Sequence, residues 1–353
     1  MSAQRPSLAA VAARAGVSPS TASLAFSGAG PVAAATRERV LEAARELGYP
    51  GPDPMARSLR QGRSGIVAVL IGERLLFAFR DPVTIGLLDG LAEELTPHGS
   101  GRLLISGDAD RSGPSEDQVA RMPMDVVIFA TCGRGEDPLI GHFLSRGVPV
   151  IAVDGPHRDD VAVLDIDDYG GSRALAEHLA QLGHKRVATV VLPLRLDGHR
   201  GVLDAARRAD VSFDDVRHRL HAVEDVFGPV TAVETATNLV EEGEAAAAEL
   251  LDATTPRPTA IVAQSDLLAV GVIRAARARG LRVPDDLSVV GFDGIDTRML
   301  DGHELTTVEQ PFVDKGRAAG RMAAEFLARR RPANVRLPIH IRIGNTSGPP
   351  PPR

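Results

Sequence analysis

Ser18, Thr21 and Ser23 sit close together in the stretch "AGVSPSTAS", just behind a glycine able to end one short helix before another begins. Short hydroxyl side chains near a helix start suit phosphate oxygens, which position a protein on a duplex without reading its sequence. Ala15, Gly16 and Val17 supply, in order, a small residue, a residue tolerant of unusual backbone, and an apolar residue for a shared core. That is what a helix-turn-helix corner needs, and a second helix leaving it places its first side chains on base edges in the major groove. The chemistry on offer here is DNA contact.

Other constellations carry less. "HRLH" spaces His218 and His221 for one helix face, but no third ligand lies nearby and a solvated face is the plainer reading. Asp165, Asp167 and Asp168 in "DIDD" fall where a strand meets a helix amino terminus, where carboxylates complement the helix dipole. Cys132 follows the apolar run "VVIFAT" and reads as a buried or half-buried free thiol. The chain has no G-x-S-x-G, P-loop, G-x-G-x-x-G or paired metal motif, so neither an enzyme nor a metal or cofactor is expected.

Three helices must position the first set of hydroxyls. Ser7 is placed to cap the first, with Leu8, Val11 and Ala12 on one face. Ser18 caps the second, with Pro19 at its first position, where a missing N–H costs nothing. The third runs from Thr36 to about Leu47, with Val40, Leu41, Ala44 and Leu47 as its apolar stripe and Gly48 to end it. "YPGPDPMARSLRQGRSG" then reads as a linker holding one short helix. From Ser64 onward, apolar runs such as "GIVAVLIG", "VPVIAVDGP" and "LSVVGFD" alternate with helical stretches in two successive series. Strands separated by helices of this length predict parallel sheets, with ligands bound outside the carboxyl ends of the strands.

The totals agree with that division. A chain of 353 residues is too long for one core. Net charge is −6, but residues 1–63 hold eight Arg against four acidic residues, leaving a basic head on an acidic body. One cysteine, no apolar span of membrane length and no charged-then-apolar leader point to the cytoplasm, with no membrane partner.

"SLAAVAARAGVSPSTASLAFS", then "TRERVLEAARELGY", then "ARSL" resembles the DNA-binding head and hinge of the LacI/GalR-type bacterial transcriptional regulators. "DDYGGSRALAEHLAQLGHKRVA", "PTAIVAQSDLLAVGVIRAARARGLRVPDDLSVVGFDG" and "LTTVEQP" extend the likeness to the sensor core of that family. Ala10, Ala22 and Ser27 depart from the family's usual Asp, Val and Asn, and Ser265 stands where an Asn usually precedes Asp266. The fold implied is α/β. It has a three-helix helix-turn-helix head over 1–50, a hinge helix within 51–63, and a periplasmic-binding-protein-like core over 64–348. That core comprises two doubly wound parallel-sheet subdomains, about 64–166 plus 311–334 and about 167–310 plus 335–348, before a disordered tail at 349–353.

The resemblance also assigns sites. Ser7, Ser18, Pro19, Ser20, Thr21, Ser23, Leu24 and Thr36 become the DNA-contacting set of the head. Pro19, Ser20 and Leu24 occupy the base-reading positions, and a Pro and a Leu cannot make the bidentate bonds by which Arg or Gln discriminate base pairs. Leu59 becomes the wedge between base pairs at the operator centre, with Arg57 beside it. In the cleft, Arg195 matches an Arg that grips effector oxygens and Asp293 an acidic partner for hydroxyls. Gln310 and Phe312 match crossover positions, and Phe79, Arg80 and Asp81 are expected to line the pocket from the first subdomain.

Two readings follow. One is a homodimeric transcriptional regulator, a repressor of double-stranded DNA carrying a pseudo-palindromic operator, whose affinity changes when a small sugar-like or other polar effector binds. The other is a small-ligand-binding or sugar-converting α/β protein with a degenerate helical head.

Overall fold

The structure, a computed structural model, describes residues 6–27, 30–51, 62–72, 74–107, 114–130, 137–253, 256–297 and 302–352. Arg57, Leu59 and Cys132 lie outside the described residues. The chain divides into two units, 1–65 and 66–353.

In the first unit, α1 (Leu8–Ala15), α2 (Pro19–Ser27) and α3 (Ala34–Glu46) pack on one another. The Ser7 hydroxyl accepts the Ala10 N–H at 3.2 Å, and Ser18 accepts that of Thr21 at 3.1 Å, satisfying amides that a helix start leaves bare. Gly16 turns left-handed at φ 64° to end α1. The core is built of small side chains, Val11, Ala12, Ala22, Ala25, Val40, Ala43 and Ala44, with Phe26 set edge-on to Tyr49 at 5.6 Å. The predicted stripe on α3 is thereby corrected: Val40 and Ala44 are buried, but Leu41 and Leu47 are exposed. Leu41 is rotated about 100° from Val40, and Leu47 lies past the last helical residue.

The second unit holds two sheets. The first runs in the order β12 (Val335–Arg336), β5 (Ala162–Asp165), β4 (Val150–Val153), β3 (Val126–Phe129), β1 (Ile66–Ile71), β2 (Gly101–Ser106), and every pairing is parallel. The second runs β13 (His340–Arg342), β11 (Thr306–Glu309), β10 (Ser288–Asp293), β9 (Ala260–Ala263), β6 (Val187–Val191), β8 (Thr231–Glu234), β7 (Gly201–Val202). Only its edge strands β13 and β7 are antiparallel to their neighbours.

Helices cover the sheets. On the first, lobe 1, lie α4 (Leu75–Ala78), α5 (Pro82–Leu95), α6 (Glu116–Ala120), α7 (Pro138–Ser145) and, from the end of the chain, α13 (Phe312–Leu327). Lobe 2 has α8 (Asp168–Gln181), α9 (Ala205–Ala209), α10 (Asp214–Phe227), α11 (Val240–Ala253) and α12 (Asp266–Ala278). The near-continuous Val, Ile and Ala runs of β3, β4, β6 and β9 are buried, as strands covered on both faces require. α5 and α13 meet almost backbone to backbone. A methyl at Gly90 would lie 2.0 Å from the Val313 carbonyl oxygen, and one at Gly316 2.1 Å from that of Leu87.

The chain passes between the lobes after β5, between β11 and α13, and after β12. Val335 and Arg336 therefore belong to the first sheet, where Val335 pairs with Leu164, so the last crossing comes two residues later than expected. The Gly348 carbonyl accepts from His184 Nε2 and the Ser288 hydroxyl, and Pro350 lies beside Gly183.

Candidate functional site

Carboxyl ends of parallel strands in both lobes turn toward the crossovers, and buried polar side chains collect there. On lobe 2 the central group is Arg219, in the middle of α10 and only 6% exposed. Its Nε donates to Asp168 at 2.8 Å, at the start of α8, and Nη1 donates to the Gln264 carbonyl at 2.7 Å, beyond β9. Its guanidinium carbon sits 3.7 Å from the centre of the Phe292 ring. Burial works against the charge, but Asp168, Asp215 and Asp293 outweigh it and keep the arginine firmly protonated.

Each lobe ends a central strand in the same dipeptide. "VIAVDG" places Asp154 directly after β4, and "VVGFDG" finishes β10 at Asp293. Both aspartates hold positive φ, 58° and 130°, a costly backbone for a residue with a Cβ and one that clusters at functional sites. Gln310, at the crossover into α13, donates from Nε2 to Asp293 at 2.7 Å. Lys315, one turn into α13 and 1% exposed, donates at 2.5 Å both to Gln310 Oε1 and to Asp154 Oδ2. One chain of bonds thus joins the two strand ends.

Burial pushes the carboxyls of this region up. Asp293 stands well above the usual range, raised by burial and by the nearby Asp266 and Asp81, against the pull of Arg219. Burial takes Asp266 to about 6, although Thr307, Ile295 and Gly294 donate to it. Asp81 is raised by burial too, despite capping α5 through Val83 at 3.0 Å and binding the Thr84 hydroxyl at 3.1 Å. Asp154 follows the same direction, held back by Lys315. The Asp81 and Asp293 carboxyls, one from each lobe, feel each other across the cleft.

Two further pairs join the lobes. Arg80 reaches Glu241 of α11 at 2.8 Å. His157 places Nε2 at 2.8 Å from Asp165 and Nδ1 at 3.6 Å from Asp214 of α10. Asp165 also takes both arms of Arg336, at 2.8 and 2.6 Å.

The structure brings together Asp81, Asp293 and Gln310. Phe312 lies at the start of α13 packed on Gly86 of α5, and Phe79 is half exposed at the end of α4. Arg195 goes elsewhere: it is exposed and pairs with Asp210, fifteen residues along the chain. Arg219, not Arg195, is the buried arginine at the strand ends of lobe 2. The signal was in the sequence, because Val216, Arg219, Leu220 and Val223 share one helical face and a charge on an otherwise apolar stripe demands a partner. Of the acidic run, Asp165 binds Arg336, Asp167 caps α8 through the Gly170 N–H, and Asp168 holds Arg219.

In the head, Ser7, Ser18, Pro19, Ser20 and Leu24 are exposed, and Thr21, Ser23 and Thr36 are half-buried. Leu24 turns part of its side chain toward Gly30.

Comparison with known proteins matches this geometry. Residues 7–51 fit the family described as bacterial regulatory proteins, lacI family, and residues 176–347 fit the periplasmic binding protein-like domain. An HTH-type transcriptional regulator of Mycolicibacterium smegmatis is 35% identical, with 98% of each chain covered. A LacI-family transcriptional regulator from Corynebacterium glutamicum superposes with a TM-score of 0.72 at 26% identity, covering 98% of this chain and 99% of that one. A complex of the transcriptional regulator CelR with cellobiose gives 0.65 at 28% identity, with 97% and 100% covered. These relatives are transcriptional regulators, and this chain is not an enzyme. Among the described residues no helix is long and apolar enough to cross a membrane. The chain belongs to the lacI family of bacterial regulatory proteins, DNA-binding regulators built from a helix-turn-helix head and a periplasmic-binding-like core.

Proposed function

We propose that the chain is a cytoplasmic repressor that binds a pseudo-palindromic operator as a homodimer and changes its operator affinity when a polar, hydroxyl-rich metabolite enters the cleft between its lobes. The observation that carries the reading is Arg219, buried at the strand ends of lobe 2 beside Asp293, with Phe292 as its floor. A guanidinium forks onto two oxygens and a carboxyl takes hydroxyl protons, so the pair suits vicinal diols. Asp81 and Gln310 are the further contacts we assign, Phe312 lines the cleft, and Arg80 works at its mouth with Glu241. Arg219 takes the role expected of Arg195. The cellobiose complex of CelR supports a sugar-like effector.

A second copy is supported by the operator geometry, since one head offers few contacts and two-fold symmetry matches a palindrome. The apolar side chains Leu76, Phe79 and Ile85, exposed within ten residues of each other on lobe 1, give it a surface. In the head, α2 enters the major groove with Pro19, Ser20 and Leu24 on the bases, while Ser7, Ser18, Thr21, Ser23 and Thr36 hold phosphates. Arg57 and Leu59 act in the minor groove.

Selection of random double-stranded DNA by the purified full-length chain tests this. A single enriched palindrome, lost on Leu59→Ala, is expected. Retention that falls with salt but shows no sequence preference overturns it, because charge alone gives that behaviour.

A further inference from the structure

The strands of the first sheet all run one way, so their amino ends form a rim at the end of lobe 1 away from the cleft. Six exposed arginines belong to this rim. Arg102 is the second residue of β2, Arg121 leads from α6 toward β3, and Arg146 leads from α7 into β4. Arg329, Arg330 and Arg331 follow α13 on the way to β12. β1 starts on the same rim at Ile66, so the chain coming from the head enters the core there.

Arginines elsewhere on lobe 1 are met by carboxylates: Arg158 by Asp160, Arg317 by Glu93, Arg336 by Asp165. Among the described residues none of the six has such a partner. Arg102 donates to the Thr96 hydroxyl, and Arg331 to the carbonyls of Asp159 and Val161. The rim's own carboxylates are Asp125, Asp159 and Asp160, and Arg158 already takes the last. The rim is therefore positive on a body that is otherwise acidic.

Part of this has a local cause, since a cation after a helix complements the helix dipole. That accounts for Arg121 and Arg146, but not for three in a row after α13 or for Arg102 on a strand. The end of α13 also runs against local preference. The Arg330 N–H donates to the Glu325 carbonyl at 2.9 Å and the Arg329 N–H to that of Phe326 at 2.8 Å, which puts Arg329 at the left-handed position of the helix stop, φ 59°. At the same place after α7 and α12 the chain sets Gly147 and Gly280, φ 73° and 70°. An arginine there costs backbone free energy that a glycine does not, and such costs cluster where a side chain has a task.

We propose that the amino rim of lobe 1 is a second DNA surface, on which these arginines hold phosphates of the duplex beyond the base pairs that the heads contact. A guanidinium forks onto phosphate oxygens and reads no sequence, so the rim adds affinity and salt dependence without adding specificity. A duplex held by the head is tethered to the rim through the linker that ends at Ile66, which raises its local concentration there. The inference needs DNA binding, but neither a palindrome nor the cleft.

The test is fluorescence anisotropy of the full-length chain over a range of salt. The probes are the palindrome recovered by selection, bare or extended on each side by about ten base pairs, one helical turn. The native chain is expected to bind the extended duplex more tightly and with a steeper salt slope. Arg329→Gly with Arg330→Gln should remove that gain, on the order of tenfold at low salt, and lower the slope by about 0.9 for each phosphate given up. Binding of the bare palindrome should not change, and the melting temperature should hold or rise, because glycine relieves the left-handed position. A purely structural role would move stability and affinity down together. Arg329→Lys with Arg330→Lys should keep most of the gain, and Arg102→Gln with Arg146→Gln should repeat the loss from other elements. Equal binding of bare and extended duplexes by the native chain overturns the rim, as does a variant that weakens both duplexes alike. If selection yields no palindrome, the operator reading fails, and the same proteins are compared on random duplexes of roughly 20 and 40 base pairs. There, weaker and less salt-sensitive binding by the glycine–glutamine variant supports the rim, and unchanged binding overturns it.

Discussion

Arg219 sits over Phe292, 3.7 Å from guanidinium carbon to ring centre, while its Nε donates to Asp168. Charge, aromatic floor and counter-ion come from α10, β10 and α8, three elements distant in sequence. Removing one member leaves the others exposed to an apolar interior. Arg219→Ala is expected to lower the unfolding free energy of the core by about 3–5 kcal/mol, because Asp168 stays buried without its cation. The pair Arg219→Met with Asp168→Leu should recover most of that loss. Urea titration of the three proteins checks it, and a double variant no more stable than Arg219→Ala sinks the account.

The head offers a smaller test. Ser18 accepts the Thr21 N–H, and its replacement by Ala should cost about 0.5–2 kcal/mol, felt first as fraying of α2. Amide exchange at Thr21 should quicken by roughly tenfold, while Ser18→Asp keeps near-native protection. Unchanged exchange in Ser18→Ala would mean that the cap carries no stability.

Close packing of α5 on α13 makes a sharp prediction. Gly316→Ala places a methyl 2.1 Å from the Leu87 carbonyl oxygen and should destabilise the core by roughly 1–3 kcal/mol or more. Gly141, on the exposed side of α7, has nothing within 4 Å of the same added atom. Gly141→Ala should be neutral or stabilising by up to about 1 kcal/mol. Melting temperatures of the two variants moving together would refute the packing argument.

Four cleft carboxyls, Asp81, Asp154, Asp266 and Asp293, are raised, all chiefly by burial. A folded state that holds protons longer than the unfolded chain loses stability as pH rises between the two pKa values. The core should therefore be destabilised progressively from near pH 4 through about 6, the value for Asp266, with Asp293 extending the decline upward. Asp165, brought down by Arg336 and His157 against its burial, acts in the opposite sense, and its contribution is lost as pH falls below 4. Asp293→Asn should flatten the upper part of the decline. Thermal melts at half-unit steps from pH 4 to 8 check this, and identical slopes for native and variant chains would contradict it.

The architecture was readable because its signals are local. "AGVS" sets a corner by itself, and strands such as "VIAV" or "AIVA" are apolar throughout because helices cover both faces. Short strands were not: Thr231–Glu234 and Thr306–Glu309 carry polar residues, and Val335–Arg336 exists only because β5 is beside it. The cleft was half legible. Asp293 and Gln310 announce themselves at strand ends, whereas Arg195 follows a strand closely and still folds outward to Asp210. Arg219 sits inside "HRLH", where the two histidines drew attention to metal chemistry and the buried face of the helix was the better guide. Lys315 could not be placed at all from its neighbours, since its partner Asp154 lies 161 residues away.

The contact of α5 with α13 has a mechanical consequence. Asp81 caps one helix at the cleft and Lys315 sits in the first turns of the other, and backbone touches backbone at Gly90 and Gly316. No flexible side chains lie between the two at those points to absorb a shift. The pair is a strut: at those points one helix cannot shift toward the other without backbone meeting backbone.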